Sequence, residues 1–347
     1  MMLTDYRPRT ALATKTTAVL KPRFPVIDAH NHLSEVMGLD WDKRPVAETL
    51  AQLDAADVRT YVDLDGGWGE DILHRHLDHF KAAAPERFHI FGGVDWTAWT
   101  AQGNGFGDWA AARIRAQAAR GATGLKIWKG LGLQVQDQHG VRVAVDDPRL
   151  DPVWATAGEL GLPVVIHVAD PVAFFAPLDR YNERWEELQA HPDWHFPRPP
   201  FPAFQSIVNA LANLVERHPA TTFIGAHVGC YAENLAWVGR LLDRCPNFYV
   251  DLAQRIGELG RQPYTARRFF IQYADRILFG IDMGPAPEIY RKYYRFLETD
   301  DEYFNYSSGE IPDQGRWQVC GLYLPPDVLE KIYNGNAKRI LHYPMHS

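Results

Sequence analysis

Phe24-Pro-Val-Ile-Asp-Ala-His-Asn-His-Leu33 decides how the rest of the chain is read. A short apolar run follows Pro25 and closes on two imidazoles, groups able to hold a cation or move a proton. Three later runs repeat the design: Pro163-Val-Val-Ile-His167, Thr222-Phe-Ile-Gly-Ala-His227 and Arg276-Ile-Leu-Phe-Gly-Ile-Asp282. Short runs rich in β-branched residues read as buried strands. In a parallel barrel the C-terminal strand ends open on one mouth, so His30, His32, His167, His227 and Asp282 can meet there despite their separation in sequence.

Working outward, strand-like and helix-like segments alternate, the pattern of a parallel α/β sheet. The expected strands are Val26–His30, Arg59–Asp63, Phe88–Val94, Gly124–Trp128, Pro163–Val168, Thr222–His227, Asn247–Leu252 and Ile277–Asp282. Amphipathic stretches lie between them at Val46–Ala56, Ile72–Ala84, Trp109–Arg120, Ala203–His218 and Leu235–Asp243. Eight strands with intervening helices predict a (β/α)8 TIM barrel. A doubly wound open sheet is the rival, but it announces itself by a Gly-rich turn after the first strand, and here that turn is His30-Asn-His-Leu. Residues 1–23 read as an N-terminal arm and 24–347 as a single barrel domain.

Two connections exceed the usual strand–helix loop of about 2–6 residues. One follows His167 and runs through Phe174, Tyr181, Trp185 and Trp194 to the Pro-rich stretch ending at Pro202. The other follows Asp282, with a helix-like Glu288–Leu297, then Tyr303, Tyr306 and Trp317. They are expected as long insertions after strands 5 and 8, forming a lid or a subunit interface. The tail, Leu329 to Leu341, reads as two short helical pieces broken at Asn334-Gly335.

Composition narrows the class. The chain has 347 residues, 46% hydrophobic, enough for one large core. A formal charge of −7 with dispersed Lys and Arg excludes the basic footprint of a nucleic-acid binder. No apolar run approaches the ~20 residues needed to span a bilayer, and the Thr-rich N-terminus lacks the apolar stretch of a secretory signal. Cys230, Cys245 and Cys320 are too few and too scattered for a disulfide framework. A soluble, cytoplasmic protein acting on a small molecule is expected, with a homodimer plausible and neither nucleic acid nor membrane as partner.

His30 and His32 are two apart, which in a regular strand puts both side chains on one face. His74-Arg75-His76 has the same spacing but sits in a helical stretch, where residues two apart do not face each other, so it is set aside. His191 and His195 lie in the Pro-rich loop and read as incidental, although His195 could reach a substrate. His218 is expected to meet helix-terminal carbonyls. Against the alternative that His30 and His32 merely end a strand stands the recurrence of polar residues at the later strand ends. Gly225, Gly229 and Gly280 beside them suggest a crowded mouth. Alternation turns Leu125 and Ile127 outward and Lys126 and Trp128 into the barrel.

Val26-Ile-Asp-Ala-His-Asn-His-Leu33, Val165-Ile-His167, Gly225-Ala-His227, Leu278-Phe-Gly-Ile-Asp282 and Tyr333-Asn-Gly-Asn-Ala-Lys-Arg-Ile-Leu341 together resemble the amidohydrolase superfamily. The match is to its amidohydrolase-related branch, which includes aminocarboxymuconate-semialdehyde decarboxylase and similar metal-dependent hydrolases. The resemblance runs from about Phe24 to Leu341. It implies one divalent ion per chain held by His30, His32, His167 and Asp282, Zn2+ first, with Mn2+, Co2+ or Fe2+ open. It implies His227 as a catalytic group near the ion. Binuclear members carbamylate a fourth-strand Lys to bridge two ions; Lys126 is read instead as a buried cation facing substrate or an acidic neighbour.

Such a site supports hydrolysis of an amide, ester or lactone, with Asp282 also taking a proton from water. It equally supports metal-dependent decarboxylation of a small acid, so the ligands alone leave the reaction open. A decarboxylase needs a cation near the departing carboxylate, and Arg255, just past the seventh strand, is the best placed. Lys43, Arg44, Lys129, Arg180 and Arg184 also follow strand ends but read as surface charge. Hydroxybenzoate decarboxylases of the branch tend to carry Glu-x-His on the first strand and an acid soon after the sixth-strand His. This chain has His30-x-His32 and His227-Val-Gly-Cys230. A hydrolase is therefore the first expectation, a decarboxylase the alternative, and a non-catalytic metal- or ligand-binding barrel the third. Lys126, Trp128 and Arg255 are the expected substrate contacts.

Overall fold

The structure, a computed structural model, describes residues 6–341. Eight parallel strands form its centre: β1 Val26–Asn31, β2 Val58–Asp63, β3 Phe88–Ile90, β4 Leu125–Ile127, β5 Val164–Ile166, β6 Phe223–Gly225, β7 Phe248–Asp251 and β8 Ile277–Leu278. They pair in chain order as β1-β2-β3 and β4-β5-β6-β7-β8. A parallel bridge from Gly92 to Leu125 joins the two sets. The ring closes where the Ala29 and Asp282 amides donate to the Phe279 and His30 carbonyls, each at 2.9 Å. This is the expected α/β barrel.

Most strands end earlier than the apolar runs suggest: β3 stops at Ile90, not Val94, and β8 has left the ladder four residues before Asp282. The backbone bends out of pairing there to carry functional side chains into the mouth. His227 and Asp282 sit in the left-handed region, with φ of 58° and 59°. Side-chain alternation separates two apolar layers. Ile27, Ala29, Val62, Phe91, Val165, Ile224 and Leu278 fill the barrel interior. Leu125, Ile127, Val164, Ile166 and Phe223 pack outward.

The outer layer is built by helices Val46–Ala55, Glu70–His76, Phe106–Arg120, Asp151–Glu159, Phe204–Arg217, Leu235–Arg244, Pro263–Gln272 and Pro287–Glu298. Asp151–Glu159 and Pro263–Gln272 were not among the expected helices. The helix Pro287–Glu298 belongs to the barrel wall, stacking Tyr290 and Tyr294 against Phe279. The tail also differs from its reading. Pro326–Glu330, a π-helical Lys331–Gly335 and Asn336–Ile340 run on without the expected break. Tertiary bonds override the Asn-Gly turn signal: Asn334 donates to the Pro25 carbonyl, and Asn336 to those of Ala274 and Ile277. The tail thereby plugs the N-terminal end of the barrel with Ala337, Ile340 and Leu341.

From residue 167 to 203 the chain forms only a short helix, Trp185–Ala190, and two 3-10 turns. Residues 299–325 form no helix, and a bridge pairs Phe304 with Val319. Residues 6–23 carry no regular structure beyond isolated bends. They are tied down where Thr17 donates its amide and hydroxyl to Asp301, both at 2.7 Å. Residues 1–5 of the expected arm, and 342–347 of the expected domain, lie outside the described residues. No helix among the described residues is long and apolar enough to cross a membrane.

Candidate metal centre

On β1 the pairing slips between Asp28 and Asn31, where three residue steps oppose two on β2, from Tyr61 to Asp63. An extra residue of this kind reverses the alternation. Ile27 and Ala29 therefore point into the barrel, and His30, one residue later, still reaches its mouth. His30 and His32 are both buried there. Ligand atoms of His30, His32 and Asp282 lie within 4.8 Å of one another, as do those of His30, His227 and Asp251.

Each of the three central imidazoles has Nδ1 committed to an acceptor. His30 donates to Asp251 Oδ2 (2.9 Å), His32 to Asp65 Oδ1 (2.7 Å) and His227 to the Ala253 carbonyl (2.9 Å). That fixes the tautomer and leaves the Nε2 lone pair facing the mouth, the arrangement usual behind metal-binding histidines. Asp282 Oδ1 lies 3.0 Å from His32 Nε2 and 3.7 Å from His30 Nε2, and Oδ2 lies 3.7 Å from His227 Nε2. His32 Nε2, Asp282 Oδ1 and both ring nitrogens of His167 are buried without a close hydrogen-bond partner, although Asp170 Oδ1 lies 3.4 Å from His167 Nε2. Electron-rich atoms facing one another with nothing between them fit a cation, and the N/O donor set suits a divalent one.

Charge states agree with that fit. Burial lowers His30 and His167, the latter to about 4, and holds His227 well below its ordinary value, so all three are neutral. Burial opposes a charge on His32 too, but its bonds to Asp282 and Asp65 win and raise it to about 9. A proton on His32 does there what a metal ion would do. Burial alone would raise Asp282, yet its facing partners His30, His32, which also bonds it, and Lys126 keep it well below the usual carboxylate range.

His167 joins through its neighbour: its ring centroid is 4.5 Å from that of His227, which is 4.9 Å from that of His30. It belongs to none of the close ligand groups. Lys126 points inward as alternation predicts, is fully buried, and places Nζ 3.2 Å from His30 Nε2. Burial lowers its pKa. Trp128 stands between the His167 ring (5.2 Å) and Trp68 (4.6 Å), whose other side meets His32 (5.2 Å). Arg255 is buried at 5% exposure and donates to its neighbour's carbonyl at Gln254.

Several residues escaped the sequence reading. Asp251 accepts from His30 and from the backbone amides of His227 and Ala253 (3.0 and 3.1 Å), joining β1, β6 and β7. Its position at the end of an apolar run was the available signal. Asp65 accepts from His32 and from the Leu33 and Ser34 amides. Trp68 and Asp170, the latter bonded to Lys129, carried no comparable signal. His76 is buried and bonded to Asp63 (2.6 Å). Ligand atoms of Asp63, Asp65 and His76 also cluster, but Asp63 holds His76 and Asp65 holds His32, so this group supports the centre from behind. His195 bonds the Ala176 carbonyl and His191 stacks on Trp194. His218 bonds Asp151 rather than helix-terminal carbonyls. Arg184 corrects its reading as surface charge: it is buried between Glu187 and Glu258.

A family model described as amidohydrolase matches residues 27–343. No curated protein is significantly similar to the chain. Among solved structures, 2,6-dihydroxybenzoate decarboxylase from Rhizobium is similar at 17% identity and a TM-score of 0.57, over 91% of this chain and 98% of that one. A dihydroxybenzoic acid decarboxylase from a Polaromonas species, with bound manganese and the inhibitor 2-nitroresorcinol, is 18% identical with a TM-score of 0.56, over 91% and 96% of the two chains. An uncharacterised TIM-barrel protein from Bordetella bronchiseptica is 18% identical with a TM-score of 0.55, over 93% and 99%. At these identities the likeness shows the barrel fold.

Proposed function

The chain belongs to the amidohydrolase family, and from that premise we propose that it is a metal-dependent, non-oxidative decarboxylase of a small aromatic acid. One observation carries this reading over the hydrolase expected from sequence. Lys126 and Arg255 are buried beside neutral imidazoles, and neither makes an ion pair among the described residues. Carboxylates act on them only at longer range, Asp282 and Asp251 on Lys126 and Glu187 and Glu233 on Arg255, so each is open to direct pairing with an incoming anion. The two dihydroxybenzoate decarboxylases of the same fold add support for an aromatic acid.

His30, His32 and Asp282 would hold the ion, with His167 as the further ligand. Zn2+ remains our first assignment and Mn2+ the next. When bound it would supply Lewis acidity toward a substrate oxygen. Arg255 would pair with the carboxylate that departs, a role suited to a planar guanidinium. Trp68 and Trp128, packed against each other, would form one aromatic wall beside a flat ring and exclude water. His227, neutral with its Nδ1–H fixed on Ala253, would first take a proton on Nε2 from a substrate hydroxyl or water and then pass it to the ring carbon bearing the carboxylate. The bond from that carbon to the carboxylate then breaks, its electron pair restores the ring, and CO2 leaves.

Hydrolysis of an ester or lactone is a second reading with its own support. Three neutral imidazoles and one carboxylate leave a divalent ion a net positive charge, which favours activating water. Asp282 would then take the water's proton. We take residues 24–347 as one catalytic domain, residues 1–23 as an arm, and the long segments after β5 and β8 as insertions walling the mouth.

The test is CO2 release against acid release from Zn2+- or Mn2+-loaded protein over aromatic acids, esters and lactones. CO2 from an aromatic acid, lost in His227→Asn while metal content is kept, is expected. Acid release from esters with no CO2 would overturn the decarboxylase in favour of the second reading. Unchanged turnover in His227→Asn would remove that side chain from the chemistry.

A further inference from the structure

The two long mouth segments meet in a polar cluster that the chemistry above leaves unused. Arg184, on the segment after β5, is 1% exposed and Glu258, after β7, is 2% exposed. They form an ion pair, and Arg184 also donates to Glu187 (2.7 Å). Trp317, on the segment after β8, lies under the guanidinium groups of Arg184 (5.4 Å) and Arg261 (4.1 Å). Tyr306 and Gln314 lie over Gly257. Five buried polar atoms here have no hydrogen-bond partner: Arg184 Nε, Glu258 Oε2, Tyr306 Oη, Gln314 Oε1 and Trp317 Nε1. Native interiors leave few such atoms unpaired, and five together call for a ligand. A cavity of about 260 Å3, lined by Glu183, Glu233, Glu258, Arg261 and Gln262, meets the cluster at Glu258.

The cluster is continuous with the metal centre through one residue. Gln254 donates its side-chain amide to the Asp282 carbonyl (3.1 Å), and its own carbonyl accepts from Gln314 (3.4 Å) and Arg255 (2.9 Å). We propose that Arg184, Glu258, Tyr306, Gln314 and Trp317 form a distal specificity subsite, taking a neutral substituent of the substrate that both donates and accepts hydrogen bonds: a hydroxyl or a primary amide. The unpaired set dictates this chemistry. Glu258 Oε2 and Gln314 Oε1 can only accept, Arg184 Nε and Trp317 Nε1 can only donate, and the Tyr306 hydroxyl does both. A second carboxylate is disfavoured because Arg184 is already held between Glu187 and Glu258, and Arg261 is paired with Glu183.

This subsite rests on the aromatic-acid reading, and its test separates the two. Binding of benzoate, its 3- and 4-hydroxy and 3- and 4-carbamoyl derivatives, and 4-(hydroxymethyl)benzoate is measured by calorimetry on Zn2+-loaded and metal-stripped protein. Wild type should bind at least one hydroxyl- or amide-bearing member roughly tenfold or more tighter than benzoate, because a site built to bond such a group discriminates against its loss. The ratio should collapse to about one in Tyr306→Phe and fall in Trp317→Phe, while benzoate affinity holds. Tyr306→Phe removes a hydroxyl that has no partner, so its thermal midpoint should equal or exceed wild type. A merely structural Tyr306 would give the reverse: a lower midpoint and an intact ratio. A wild-type panel bound with equal affinity overturns the subsite alone. Failure of every member to bind overturns the aromatic-acid reading and the subsite with it.

Discussion

Asp251→Asn isolates how the protein aims its metal ligands. Asp251 is fully buried, with Oδ2 on His30 Nδ1 and Oδ1 on the backbone amides of His227 and Ala253. Asparagine has nearly the same shape but only one acceptor oxygen. Turned so that this oxygen keeps both amides, it retains two bonds worth about 1 kcal/mol each. The opposite rotamer keeps one bond and points an NH2 group at two N–H donors, so the first wins. His30 Nδ1 then faces a donor and must become the acceptor, which moves the ring proton to Nε2. That nitrogen loses the lone pair a metal needs. Loss of such an orienting partner typically weakens metal affinity about 10- to 100-fold, or roughly 1.4–2.8 kcal/mol. The assay is Zn2+ titration of metal-stripped protein against a chromophoric chelator, with urea unfolding of the stripped protein as control. The stripped variant should unfold near the wild-type midpoint. Asp251→Ala strands two buried amides and should be destabilised by roughly 2–6 kcal/mol. A Kd in Asp251→Asn within about threefold of wild type would refute the tautomer argument.

Other perturbations test other parts of the molecule. A Cβ at Gly280 would stand 2.8 Å from His30 Cβ, so Gly280→Ala should cost about 1–3 kcal/mol by overpacking and reduce bound metal; full occupancy measured by elemental analysis would count against the crowded mouth. His89 is held near pKa 4 by burial, below its unfolded value of about 6.5. Its contribution to stability is therefore complete above pH 6.5 and lost as pH falls through about 4, by at most roughly 3 kcal/mol. Urea midpoints at pH 7.5 and 4.5 should differ less in His89→Gln than in wild type, and equal pH sensitivity would remove His89 as a cause. Asp301 is buried and holds Thr17 twice and Arg295 once. Asp301→Ala should release the arm and speed tryptic cleavage at Lys15 or Arg23; an unchanged digestion rate would show that the arm is held elsewhere.

What the sequence made legible depended on periodicity and on position at strand ends. β4 and β5 alternate regularly, so the inward direction of Lys126 follows from counting, and the structure agrees. β1 shows why counting is not enough. His30 shares parity with Val26 and Asp28, which lie opposite to the interior-facing Ile27 and Ala29, yet it reaches the mouth because the pairing slips. A bulge leaves no mark in a run of six residues. The carboxylates behind the imidazoles were hidden for another reason. Asp65 and Asp251 work through hydrogen bonds between elements distant in sequence, and neither residue type nor spacing records a partner. Arg184 was misread because charge alone suggests solvent, whereas two glutamates from different segments compensate its burial.

Backbone strain connects these observations. Left-handed φ values occur at His227, Val228, Cys230, Gln254 and Asp282, all on strand exits of the same mouth. For a β-branched residue such as Val228 the conformation is a clear outlier, and each non-glycine residue so held costs about 1–3 kcal/mol. The surrounding bonds show what sustains it. Asp251 grips the His227 amide, Tyr293 accepts the Gln254 amide, and the Gln254 side chain grips the Asp282 carbonyl. A strand continued in regular geometry would send its next side chain up the barrel wall. Turning the backbone at its tip instead directs His227 and Asp282 toward each other across the mouth. The strain is thus the local cost of convergence, and it falls where the sequence changes from apolar run to chemical group.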